Sequence, residues 1–483
     1  MQLFNRQILF AFCCITAFST VAGEQEQGII ERTIHAYGGK QLLALKTIKI
    51  EDEYKGFRYG QSNSPDEVDM VDYRSSLTID LENKRKDFKW LRGNQADFST
   101  QHRIFNGRTG YVINHDKQTL TQDNHINYRN AGRNHSYYLD TAMVLLLNEN
   151  KNKVKYLGQK MLHGKAHNLL ELNTQGFKNL TFYLEKETGK LSLMTRPHWR
   201  PNTFFNYNYS DYQQQQGITY AASTYVTRGG QPFNAFVKRQ VDFNPTITNE
   251  FIVPQDYGKA PDILDFSEMT ISSPGDNLYL VGKDWGFTLF IDAGDYFIAA
   301  GGYQDLSKRF ALMKEKTGLD KPLKYQVVSH HHLDHLGGMS EAAALGASFI
   351  TVQSNVASIQ QVLDQPLPDQ RFIIIKEQAS FANGLVQIID YPNSHANHSL
   401  LTYIPEAKLL FSADLYLSRQ KTGAPDGSPE LAQLKNTLAK HKLKVEHFAA
   451  AHSSRVLTNK DFNASLNNMP TAVCPANWQI CFD

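Results

Sequence analysis

A chain of 483 residues is too long for one ordinary hydrophobic core and calls for two domains or more. Its 50 basic residues stand against 48 acidic ones, a formal net charge of +2, with no long block of either sign. That balance excludes the electrostatic footprint of a nucleic-acid-binding or anionic-membrane-binding surface.

In chain order, Arg6 precedes an apolar stretch running from Ile8 to Val21, and Val21-Ala22-Gly23 offers small residues before Glu24. Residues 1–23 therefore read as a signal peptide cleaved on export, which makes the mature protein periplasmic or secreted. The stretch falls short of the roughly 20 apolar residues of a membrane span, and no second long apolar run follows, so no stable span is expected in the mature chain. An uncleaved anchor is the alternative. Cys13 and Cys14 would leave with the signal; Phe10-Ala11-Phe12 before them lacks the pattern of a lipid-attachment site.

Ile29, Ile30, Thr33, Ile34 and Tyr37 recur at three- and four-residue steps, which predicts a helix over 24–37, closed by Gly38-Gly39. A short helix is expected over 40–45. Short alternating runs follow at 47–54, 76–81, 85–91, 111–114, 155–157, 168–172, 180–184, 191–195 and 236–244, with turn-prone pairs such as Asn106-Gly107 and Thr188-Gly189 between them. The pattern predicts a β-rich, mostly antiparallel domain over 24–257. Phe204-Phe205-Asn206-Tyr207-Asn208-Tyr209 forms an aromatic cluster within it. Helix, Gly38-Gly39 and a long β-meander are together similar to the curved half-barrels of bacterial outer-membrane lipoprotein carriers. That resemblance implies a concave face that would hold an acyl chain or shield an active site; an accessory domain that stabilises its neighbour is the alternative.

Pro245, Pro254 and Pro261 punctuate the end of this half, and residues 258–265 read as a linker. From 266 to 465 strands and helices alternate, with strands near 268–272, 278–282, 287–292, 324–329, 348–352, 371–376, 385–390, 400–404, 408–412 and 444–450, and helices near 304–317, 339–346, 355–363 and 429–440. Residues 466–483 form a tail in which Cys474 and Cys481 stand as an isolated pair. In an exported protein such a pair is read as a local disulfide pinning the tail, with metal binding as the minor alternative.

The second half also carries the chemistry. In His330-His331-His332-Leu333-Asp334-His335 four metal-ligating side chains are too densely spaced for one helix face. On an extended segment residues two apart point the same way. Tyr325, Val327 and Val328 just upstream read as a buried strand, and Gly337-Gly338 permits a sharp turn afterwards. His395 follows a strand, Asp414 closes one and His452 ends another. Seven side chains at strand ends would complete two sites: His330, His332 and His395 for one cation, Asp334, His335 and His452 for the second, and Asp414 bridging. Imidazole and carboxylate suit two zinc ions, with iron or manganese as the other candidates. Two cations about 3.5–4 Å apart would share a water and lower its pKa to near neutrality.

These residues resemble the metallo-β-lactamase superfamily of binuclear metallohydrolases. His330 to His335 match its His-x-His-x-Asp-His motif, His395 with Ser399 its Gly-His-Thr-x-x-Ser-like loop, Asp414 its bridging aspartate, and His452 its last histidine. The resemblance spans roughly 266–460 and implies an α+β chain: an antiparallel β-rich domain followed by an αββα sandwich. Departures are Ser394, Ala413, Ala451 and Ser453 where glycines are usual, and Ala396 for threonine. His398 stays as the alternative to His395. His331 would line the pocket or lie behind the ligands, whereas His441 and His447 are ordinary helix-end and strand residues. Asp292, in Phe290-Ile291-Asp292-Ala293-Gly294, resembles a strand-end aspartate that orients a ligand or the motif loop; a simple turn cap competes with that role.

The resemblance implies a zinc-dependent hydrolase acting on an ester, thioester, lactone or amide-type small molecule, with Asp334 orienting the nucleophile. Asp414 places the chain nearer the glyoxalase II and lactonase branch than the β-lactam-hydrolysing one. The same ligands would serve a mononuclear iron sulfur-oxidising dioxygenase. A lipid- or lipoprotein-binding protein with a non-catalytic metal domain is the remaining alternative, and an acyl or lipid-like substrate would suit either half. Arg419 and Lys421, in the loop 417–429, are candidates to grip a substrate anion, although solvated loop charges are commoner. Oligomeric state is not legible.

Overall fold

A computed structural model describes residues 17–95, 97–174, 177–198, 202–475 and 477–481. The first 16 residues of the expected signal peptide lie outside them. The chain divides into two compact units. One comprises Met1–Phe57, Met70–Lys259 and Ala472–Asp483, the other Arg58–Asp69 and Ala260–Thr471. Two segments therefore depart from the boundaries read off the sequence: 58–69 groups with the second unit and 472–483 with the first. No helix among the described residues is long and apolar enough to cross a membrane.

The first unit is built on one 14-stranded sheet, antiparallel throughout except where Gly258–Lys259 runs parallel to Thr119–Gln122. Strand Phe204–Gln215 shows why it forms: Phe205, Tyr207 and Tyr209 are buried, and Phe204, Asn206 and Asn208 alternate to the other side. Helix Ala17–Ala36 runs through the expected cleavage point, and buries Ile30, Thr33 and Ile34. Helix Asp140–Glu149, which the sequence reading missed, adds Met143, Val144 and Leu147 to the same core as Leu170, Phe182 and Tyr207. Buried Asp140 accepts the Tyr37 hydroxyl at 2.6 Å and the Ala221 and Thr141 amides, which satisfies a carboxylate that burial pushes toward its neutral form.

The tail belongs to this unit. Cys474 and Cys481 are disulfide-bonded with Cα atoms 5.8 Å apart, and Trp478 and Ile480 pack against Leu91. The loop is short, so the chain-entropy model gives the bridge roughly 2–3 kcal/mol.

The second unit has four layers. A seven-stranded sheet (Thr270–Gly275 through Phe372–Ile374) and a six-stranded sheet (Gln378–Phe381 through Ser453–Thr458) share one core. In strand Gly286–Asp292, Phe287, Leu289 and Ile291 face that shared core, and Phe290 turns to the outer layer with Phe310 and Met313 of helix Leu306–Thr317. On the far face, helix Pro429–Lys440 starts with Ser428 accepting the Leu431 amide and Pro429 in its first turn. Its Leu431, Leu434 and Leu438 bury a stripe against Leu401, Leu410 and Phe448. Each such leucine stabilises the layer by about 1.5–3 kcal/mol. The result is the αββα sandwich expected from the sequence.

Candidate metal centre

Each candidate ligand stands where a strand ends. Strand Leu323–Val327 pairs in parallel with Phe297–Ala300 and Ser348–Thr351, and the Val328 amide still donates to Ile350. Pairing stops there, and the chain opens into the six-residue motif. His395 lies in the loop after strand Val386–Asp390, Asp414 follows Leu409–Phe411, and His452 lies just past His447–Ala450.

The fold brings these seven side chains together as two neighbouring groups, His330, His332, His395 and Asp414, and Asp334, His335 and His452. Within each group the potential ligand atoms lie within 4.8 Å of one another. Asp414 belongs to both by geometry. Its Oδ2 lies 3.1 Å from His395 Nε2 and 3.8 Å from His330 Nε2, whereas its Oδ1 lies 2.9 Å from His335 Nε2 and 3.3 Å from His452 Nε2. Asp334 Oδ2 lies 3.5 Å from His452 Nε2 and 3.7 Å from His335 Nε2. His330 and His335 keep 1% of their side-chain exposure, but Asp334 keeps 33% and His395 31%, so the cluster reaches solvent through these two side chains.

Three of the outward ring nitrogens are tied down. His332 Nε2 is 2.9 Å from the Ser62 carbonyl, His330 Nδ1 is 3.2 Å from Ser329 Oγ, and His452 Nδ1 hydrogen-bonds the Trp285 carbonyl. Each anchor fixes the ring so that its other nitrogen faces the cluster. Facing inward, His332 Nδ1, His335 Nε2 and Asp414 Oδ1 are buried without an aligned hydrogen-bond partner. Within each group the candidate ligand atoms lie close enough to share one cation, and five imidazoles with two carboxylates fit zinc-type ions.

Electrostatics follow from the same packing. Burial depresses the His330 pKa well below the ordinary range, and takes His332 down to about 3, which keeps both lone pairs free. For His335 burial acts the same way, but the Asp414 carboxylate outweighs it and lifts the group to about 9. Burial pushes Asp414 up, yet the surrounding imidazoles, His335 foremost, hold it well below the usual carboxylate range. Asp334 is held low against its own burial by His335, Gln61 and His452.

Other sequence candidates go elsewhere. His398 Nδ1 bonds Asp390 Oδ2 at 2.7 Å and lies outside both groups. His331 is buried beside His332. His441 meets Gln378 at the surface, and His447 sits in its strand. Asp292 accepts Lys321 Nζ at 2.7 and 2.8 Å and the Gly294 amide at 2.9 Å; it caps a turn and closes an ion pair, and touches no ligand histidine. Of the two roles read for it, the turn cap is the one these contacts show. Arg419 stacks on the Trp285 ring, 3.2 Å from its centroid.

Sequence reading missed the 58–69 segment altogether. Gln61 Nε2 donates to Asp334 Oδ1 at 2.7 Å, leaving Oδ2 toward His335 and His452. Asn63 Nδ2 donates to the Asn393 and Ser394 carbonyls, and its own carbonyl accepts the Asn397 amide, which frames the His395 loop. Gly60 accepts the Leu333 amide at a positive φ of 68°, and a Cβ there would meet Leu333 Cδ1 at 2.4 Å. One signal was available: this connection joins two strands that a much shorter turn would link, and long polar loops in compact folds are usually functional.

Neither a family model nor a curated protein matches the chain. Solved structures similar to it include a metallo-beta-lactamase from Pontibacter korlensis (15% identity, 41% of this chain, 98% of that one, TM-score 0.34). Another is FIM-1 from Pseudomonas aeruginosa in its mono-zinc form (16% identity, 43% of this chain, 96% of that one, TM-score 0.34). A third is the metallo-beta-lactamase DIM-1 (14% identity, 43% of this chain, 98% of that one, TM-score 0.33). At such values the likeness carries no functional weight, which rests on the side chains of the site.

Proposed function

We propose that the protein is an exported, metal-dependent hydrolase of the binuclear type, acting on a small ester, thioester, lactone or amide. The observation that carries this reading is Asp414, whose two oxygens address different ligand groups, 3.1 Å from His395 on one side and 2.9 Å from His335 on the other. It also favours the glyoxalase II and lactonase-like branch. His330, His332 and His395 would hold one zinc and Asp334, His335 and His452 the second, with Asp414 between them.

Bound there, the ions would activate a water and polarise the scissile group. The chain's own residues do the rest. The Ser62 and Trp285 carbonyls hold His332 and His452 in one tautomer each. Gln61 fixes the rotation of Asp334, whose free oxygen, on the open side of the cluster, would orient the nucleophile and accept its proton. Trp285 is half-exposed under Arg419, a flat cationic wall suited to a substrate carbonyl or carboxylate.

Export over residues 1–23 is part of the proposal. The disulfide at Cys474 and Cys481 supports it, because such bonds persist in oxidising compartments. N-terminal sequencing of the mature protein should begin at Glu24.

The deciding experiment is metal content by mass spectrometry together with a panel of ester, thioester, lactone and β-lactam substrates. Two zinc ions per chain and turnover of one class support the reading. A single iron points to sulfur oxidation instead, and a chain that retains no metal leaves only a binding role.

A further inference from the structure

The first unit contains a cavity of about 450 Å³, well within the size of small-molecule sites. One wall is apolar: Ile79 from the sheet, Leu81 just past the end of its strand, and Ala142, Met143, Leu145 and Leu146 from helix Asp140–Glu149. Toward solvent it carries exposed Lys84, Arg129 and Lys153 against a single acid, Glu149, which pairs with Lys84 at 2.8 Å.

At its polar end sits Lys86, only 5% exposed. Its Nζ donates to Ser136 Oγ at 2.7 Å and lies 4.7 Å from the Tyr128 ring centroid. Among the described residues no carboxylate stands within ion-pair distance. The acids near it in sequence are committed elsewhere, Asp80 to Arg85 and Asp87 to His102. Buried lysines are ordinarily paired, because an uncompensated ammonium in an apolar setting is costly. Burial, and then the like charge of Lys84, take the Lys86 pKa down to about 7.

We propose that this cavity binds a single-tailed organic carboxylate, its tail along the Ile79–Leu146 wall and its carboxylate on Lys86 Nζ and Ser136 Oγ. The ligand would supply the counter-ion that the fold omits, and Lys84, Arg129 and Lys153 would favour an anion at entry. The tail explains the apolar wall, and the head explains an unpaired cation inside it.

Calorimetric titration of the full-length protein with decanoate and with 1-decanol tests both halves. Decanoate should bind one to one, and about tenfold or more tighter than the alcohol, the usual gain from a charge-assisted hydrogen bond. Lys86→Met should remove that preference while leaving decanol within about twofold of wild type. Ala142→Trp, which fills the cavity without touching Lys86, should weaken both ligands. Near pH 8, decanoate binding should take up a proton that the Lys86→Met variant does not. Wild-type protein that fails to bind decanoate, equal affinity for acid and alcohol, or an unchanged acid preference in Lys86→Met would each overturn the assignment.

Discussion

Replacing Gln61 by alanine removes one hydrogen bond, from Nε2 to Asp334 Oδ1 at 2.7 Å, and no metal ligand. A hydrogen bond to an ionised group contributes about 1.5–3 kcal/mol. The Asp334 side chain keeps 33% of its exposure, so water replaces part of what is lost, and the lower end of that range, about 1.5–2 kcal/mol, applies. If Asp334, His335 and His452 hold an ion as proposed, the loss amounts to roughly a 10- to 30-fold weaker hold on it, within the usual effect of removing a partner behind a metal ligand. Zinc titration against a competing chelator reads this directly, and the ion at His330, His332 and His395 serves as the internal control. A variant that keeps both ions within about twofold of wild-type affinity would show that Gln61 is a bystander, and the account of Asp334 orientation would fall with it.

Asp414→Asn should cut zinc retention at both positions and lower hydrolytic turnover by more than about 100-fold, a larger effect than removing a partner behind a ligand; retention of two tightly held ions would contradict the bridging role. Arg239→Met strands buried Asp52, whose carboxylate lies 2.7 Å from the guanidinium, and should destabilise the first unit by about 3–5 kcal/mol in urea unfolding. Lys86 gives a pH test. With a folded pKa of about 7 and an ordinary value of 10.5, the unfolded chain holds more protons between those limits, so stability rises with pH across that window. From pH 7 to 9 the gain is about 2–3 kcal/mol, read from urea midpoints, and Lys86→Met should flatten it; Lys84 and Tyr128, which also face the group, remain in that variant.

The metal cluster was legible because its ligands are encoded locally. Four of the seven candidates fall in six consecutive residues, and the others each follow a recognisable apolar strand. Between His395 and His398 the sequence offered no decision; the contact that separates them comes from outside the loop, where Asp390 engages His398 and His395 joins the candidate group. For Asp292 both roles stayed open, because a strand-end aspartate before glycine looks the same whether it serves a ligand or caps a turn beside Lys321. Helix Asp140–Glu149 escaped notice for another reason: Ala142 to Leu147 is an unbroken apolar run, and without polar interruptions no 3.6-residue period is visible.

The 58–69 segment was illegible in a deeper sense. Its side chains are short polar groups, common in any loop, and nothing in Gly60-Gln61-Ser62-Asn63 announces a role. Their meaning lies in what they meet: a backbone carbonyl for His332, an amide for Asp334, and a glycine where Leu333 leaves no room for a Cβ. Ligands must be particular residue types, so they leave a signature in sequence. The groups that orient ligands need only a donor or an acceptor, which any backbone offers, so they leave almost none. The strands flanking 58–69 belong to the first unit, but the segment itself belongs to the second, so the candidate metal site cannot be reduced to residues 260–471. A protein cut at that boundary would keep all seven candidate ligands and lose the groups that aim at least two of them.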